Sequence, residues 1–100
     1  MIKIKTTDIF DHWLTSLKNE KAKSIITERL VRLSNGLLGD VKYFKGIGEL
    51  RITHGKGYRV YFIKRGNEII ILLNGGDKST QQKDIEKALK IVKELKNGIK

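Results

Sequence analysis

The chain has no cysteine and no proline among its 100 residues. Without cysteine there are no disulfides, no thiolate metal ligands and no cysteine nucleophile. Without proline, turns must rest on glycine, asparagine and aspartate. Long apolar runs are missing too: no segment approaches the roughly 20 residues needed to span a bilayer. The opening Met1-Ile2-Lys3-Ile4-Lys5 alternates apolar and basic residues, unlike the continuous apolar stretch of a signal peptide. No membrane partner is expected, and the cytoplasm is the expected location. The hydrophobic fraction of 39% suffices for one core, so a single domain over residues 1–100 is expected.

Acidic residues are scarce beside basic ones, 11 against 21, for a formal net charge of +10. The imbalance is concentrated. Residues 1–40 and 66–100 each hold seven basic and five acidic groups. Residues 41–65 hold seven basic groups and Glu49 as their one acid. The basic groups are Lys42, Lys45, Arg51, Lys56, Arg59, Lys64 and Arg65. A polyanion is the natural partner, bound by the middle of the chain. The alternative is a basic surface that only aids solubility.

Hydrophobic period divides the chain. Ile2 and Ile4 share one face of a short opening strand. Thr7 or Asp8 caps a helix whose Phe10, Trp13, Leu14 and Leu17 form one stripe. Ala22, Ile25, Ile26, Leu30 and Leu33 form a second stripe, ended at Asn35-Gly36. Four strands follow: 41–44, 49–52, 58–63 and 68–73, the last apolar on both faces. Asn74-Gly75-Gly76-Asp77 reads as a turn. Ser79 or Thr80, with Gln82 completing a capping box, starts a final helix. The expected fold is α+β: a mainly antiparallel sheet packed against an N-terminal helical hairpin and a C-terminal helix.

Side-chain alternation sets Glu49, Arg51 and Arg59 on one face of a hairpin, opposite Leu50, Ile52, Tyr58, Val60 and Phe62. Two arginines set side by side repel unless an anion bridges them, and guanidinium binds phosphate bidentately. Alternatively, one of them pairs with Glu49 and the group is structural. His54, in the turn, is a candidate general acid or base; His12, on the first helix, reads as a surface or packing residue. Gly75-Gly76-Asp77-Lys78-Ser79-Thr80 precedes a helix and reads as an anion loop, with Lys78 a further phosphate ligand, or as a simple turn. It lacks Walker spacing. Asp40, Asp77 and Asp84 fall on separate elements, so neither a metal nor another cofactor is expected. Such a site suits metal-independent RNA cleavage, in which the 2′-hydroxyl attacks the adjacent phosphate and cations stabilise the developing charge.

The stretches Gly48-Glu49-Leu50-Arg51-Ile52, Gly55-Lys56-Gly57-Tyr58-Arg59-Val60-Tyr61-Phe62 and Leu72-Leu73-Asn74-Gly75-Gly76-Asp77-Lys78-Ser79-Thr80-Gln81 together resemble the RelE/ParE superfamily. They are most similar to its addiction-module killer protein branch, related to the phage-derived Gp49-like and HigB toxins. Phe10-Asp11-His12-Trp13-Leu14 fits the same branch. The resemblance implies a RelE-like fold and a toxin that cleaves mRNA at the ribosome and is neutralised by a cognate antitoxin, a small helix-turn-helix protein. Carried over by position, Arg51, Arg59 and Lys78 match the family's basic site residues. Lys42, Lys45, Lys56, Lys64 and Arg65 are expected to bind RNA. The tyrosine that RelE carries in its C-terminal segment has no counterpart in Gln81-Gln82-Lys83-Asp84-Ile85, which leaves His54 or Glu49 as acid and base. The same departure keeps two other readings open: a ParE-like toxin that inhibits DNA gyrase without nuclease activity, and a non-toxic nucleic-acid-binding accessory protein.

Overall fold

A computed structural model of the chain describes residues 2–98; Met1 of the expected opening strand and residues 99–100 of the expected domain lie outside the described residues. The elements follow in the order β1 (Lys3–Thr6), α1 (Asp8–Ser16), α2 (Glu20–Ser34), β2 (Val41–Phe44), β3 (Ile47–Ile52), β4 (Tyr58–Arg65), β5 (Ile69–Gly76), a 3-10 turn (Lys78–Thr80) and α3 (Gln81–Gly98). One five-stranded sheet has the order β1-β5-β4-β3-β2. Strands β2 to β5 form an antiparallel meander, and β1 pairs parallel with β5.

Alternation along the strands makes two apolar faces, each with its own helices. Leu50, Ile52, Tyr58, Val60, Phe62, Ile70 and Leu72 meet Phe10 of α1 and Ala22, Ile26 and Leu33 of α2. Ile47, Tyr61, Ile71 and Leu73 meet Ala88 and Ile91 of α3. The sheet is therefore a middle layer, and β5 is buried on both sides, as its continuous apolar run requires. Thr7 caps α1 by accepting from the Phe10 amide at 3.0 Å. Its hydroxyl also donates to the Leu73 carbonyl at 2.6 Å, tying the start of α1 to β5. Asn19 caps α2 by accepting from the Ala22 amide.

Two local expectations change. The final helix is capped neither by Ser79 nor by Thr80. Asp77 caps a 3-10 turn, with Thr80 completing a capping box, and α3 continues from it. The glycine pair is not a turn either, since β5 runs on to Gly76. A Cβ on Gly75 would stand 2.4 Å from the Trp13 ring, and one on Gly76 would collide with the Asp84 carboxylate. These glycines let α1 and α3 approach the strand from opposite sides; they do not cradle an anion.

Candidate functional site

Where the β3–β4 hairpin turns, Arg51 and Arg59 are directly opposed in register. Residues 53–57 join the two strands, and the Lys78 amide donates to the Lys56 carbonyl at 3.3 Å. That contact draws the start of the 3-10 turn over the hairpin. The result is a cleft of about 500 Å³ lined by Asp40, Arg51, His54, Lys56, Arg59 and Lys78, with Thr53, Gly55 and Gly57 supplying backbone. Four cationic side chains and one imidazole converge there from the β3–β4 hairpin and the 3-10 turn.

The two arginines are held differently. Arg51 is 38% exposed, and its Nη2 lies 3.2 Å from Asp40 Oδ1 at the cleft wall. Arg59 is 14% exposed, and its Nε lies 3.9 Å from Oε2 of Glu49. Glu49 is 1% exposed and accepts a hydrogen bond from Gln81 Nε2 at 2.8 Å. Arg59 Nη1 donates to the Gly57 carbonyl at 3.3 Å. Glu49 thus lies behind Arg59 and does not line the cleft. The Nε atoms of both arginines are buried and lack hydrogen-bond partners among the described residues. Arg29 of α2 fixes the adjoining backbone, donating to the carbonyls of Arg51 at 2.9 Å and Leu38 at 3.1 Å.

Of the residues expected to bind RNA, Lys56 alone lines the cleft. Lys42 lies on the edge strand β2, paired in register with Glu49, with its ammonium 5.8 Å from the centre of the Phe44 ring. Lys45 sits in the β2–β3 turn, and Lys64 and Arg65 end β4. That end of the sheet is roughly 20 Å from Arg59, given about 3.4 Å per strand residue. Lys45, Lys64 and Arg65 therefore lie at the end of the sheet away from the cleft, while Lys42, in register with Glu49, lies between. The sequence does not announce Asp40 as the partner of Arg51, nor Gln81 as the partner of Glu49. No spacing signals them, because both contacts come from tertiary pairing.

Beneath α3, Tyr61 is fully buried, with its hydroxyl near the Glu49 carboxylate. Burial first, then the carboxylates of Glu49 and Asp84, push its phenol above the ordinary value. In the unfolded chain a tyrosine loses its proton at about pH 10, while the folded chain retains it. Above that pH the unfolded state holds fewer protons, so stability falls as pH rises. Tyr61→Phe should remove this alkaline loss. Urea unfolding at neutral and alkaline pH checks this; an undiminished alkaline loss in the variant would assign the loss to other groups.

Among the described residues, no helix is long and apolar enough to cross a membrane, and no three His, Cys, Asp or Glu side chains converge in a metal-binding group.

The family described as "Phage derived protein Gp49-like" matches residues 13–96. An uncharacterized protein of Haemophilus influenzae is 53% identical over 95 residues, covering 94% of this chain and 96% of that one. Among solved structures, the toxin–antitoxin complex RelBE2 from Mycobacterium tuberculosis contains a similar chain at TM-score 0.63 and 17% identity, covering 77% of this chain and 98% of that one. The conserved hypothetical protein HP0894 from Helicobacter pylori matches at TM-score 0.52 and 18% identity, covering 79% and 97%.

Proposed function

The chain belongs to the phage-derived Gp49-like family and has a RelE-like fold, and from that premise we propose that it is the toxin of a toxin–antitoxin pair, an endoribonuclease that cleaves mRNA on the ribosome. The observation that carries the reading is the convergence of Arg51, His54, Lys56, Arg59 and Lys78 in one cleft. Cleavage there proceeds by attack of a ribose 2′-oxygen on the adjacent phosphorus, with the 5′-oxygen of the next nucleotide leaving. Charge builds on the phosphate oxygens, where Arg51, Arg59 and Lys78 stabilise it. His54 exchanges the proton of one of these two oxygens, and solvent water that of the other. Glu49, buried behind Arg59, orients that guanidinium instead of meeting the substrate. Lys56 holds the neighbouring phosphate, and Lys42, Lys45, Lys64 and Arg65 follow the RNA backbone along the sheet. The site requires no metal or other cofactor, and the protein acts in the cytoplasm.

A protein of net charge +10 that carries such a cleft needs a neutralising partner, and the similar chain in RelBE2 comes from a toxin–antitoxin complex. The proposed antitoxin is a small helix-turn-helix protein that covers the cleft or blocks ribosome docking. Induction of this chain alone should arrest growth and stop protein synthesis before DNA synthesis, with new transcript 5′ ends inside coding regions. Intact transcripts with DNA synthesis stopping first would favour a gyrase-directed toxin; unimpeded growth would leave the accessory nucleic-acid-binding role.

A further inference from the structure

A second groove, of about 610 Å³, runs between α1 and the start of α3 along the end of β5. Its lining has the opposite sign to the rest of the molecule. Asp8, Asp77 and Asp84 face it, against Lys87 and His12. Phosphate is repelled there, whereas a cation is drawn in. The geometry points to this groove as a binding site for an arginine side chain carried by a partner polypeptide.

Three observations carry the assignment beyond charge. Asn74 is 2% exposed and lines the groove, and its Oδ1 has no hydrogen-bond partner among the described residues. Its Nδ2 donates to the Asp84 carbonyl at 3.0 Å, which fixes the amide so that the free atom is an acceptor. A buried acceptor without a donor is costly, and a bound ligand's N–H would relieve it. The carboxylates of Asp77 and Asp84 are held in place by hydrogen bonds from Ser79 and Thr80, while Asp8 is exposed and enters no ion pair among the described residues. Finally, Trp13 forms an aromatic wall lying over Gly75, with Ile9 beside it 38% exposed. Arginine matches all three: five donors and no acceptor for the oxygens, a planar cation for the indole face, and an aliphatic stem for the apolar rim. A free amino acid fits less well, since its own carboxylate would face three others. The assignment does not rest on the ribonuclease reading.

Trp13 is the sole tryptophan, so its fluorescence reports on the groove. N-acetyl-arginine amide, titrated into the full chain at constant ionic strength, should shift the emission saturably. The neutral isostere N-acetyl-citrulline amide should not, and free arginine should bind more weakly than the amide. Asp8→Asn, on the exposed first turn of α1, should weaken binding about tenfold, roughly the loss of one charge-assisted hydrogen bond, with an unchanged circular dichroism spectrum. Equal responses to citrulline, binding unaffected by Asp8→Asn, free arginine binding as well as the amide, or no saturable response at any attainable concentration would each overturn the proposal.

Discussion

Arg51→Ala should slow mRNA cleavage by about 10²–10³-fold, the loss typical when one donor to a developing oxyanion is removed. The fold should hardly notice. Arg51 is half-exposed, and its ion-pair partner among the described residues, Asp40, is itself half-exposed. Such a pair contributes about 0–1 kcal/mol, and Asp40 regains water when the guanidinium leaves. The rate should therefore fall while the urea midpoint stays nearly fixed. Single-turnover cleavage of ribosome-bound mRNA, alongside equilibrium unfolding, checks both halves. Full activity in a folded Arg51→Ala protein would remove this side chain from the chemistry.

The opposed arginine should behave otherwise. Arg59→Ala leaves the buried Glu49 carboxylate with the Gln81 amide and without its ion-pair partner among the described residues. Removing one partner of a buried pair typically costs 3–5 kcal/mol. The retained Gln81 bond argues for the low end, about 3 kcal/mol, on top of the lost activity. Adding Glu49→Gln to Arg59→Ala should restore much of the stability and none of the cleavage. If Arg59→Ala proves as stable as the parent, the Glu49–Arg59 pair contributes nothing to stability. An active double variant would instead show that Arg59 serves only to compensate Glu49.

This contrast between neighbouring arginines shows what a linear reading reaches. Alternation alone sets Glu49, Arg51 and Arg59 on one face, because side chains must alternate across a pleated strand. It cannot show that Arg59 folds back toward Glu49 while Arg51 turns toward Asp40, since the first depends on the register of β3 with β4 and the second on where the segment before β2 lies. Gln81 lies 32 residues from Glu49 in sequence, and only the docking of α3 brings them together. The glycine pair before the last helix is the clearest misreading. Adjacent glycines usually punctuate a strand, yet here Trp13 and Asp84 need the space that side chains would fill. The basic stretch was legible as charge but not as shape. Residues contiguous in sequence sit at opposite ends of the sheet because β4 carries them its full length apart. The helical stripes and the doubly buried β5 were legible, because each burial pattern has a period of its own.

The pairing of β1 with β5 has a consequence for how the molecule comes into being. The first strand to be synthesised takes its place beside the last strand. Until residues 69–76 have emerged, β1 has no hydrogen-bonding neighbour and the face that receives α1 is incomplete. Lys78 reaches the cleft later still. The nascent chain therefore has no finished cleft during most of its own translation, and a product truncated before β5 lacks the strand that joins its beginning to its end. Such non-local closure favours slow assembly after synthesis over stepwise folding during it. Arg51, Arg59 and Lys78 therefore share one cleft only once residues 69–78 have been made.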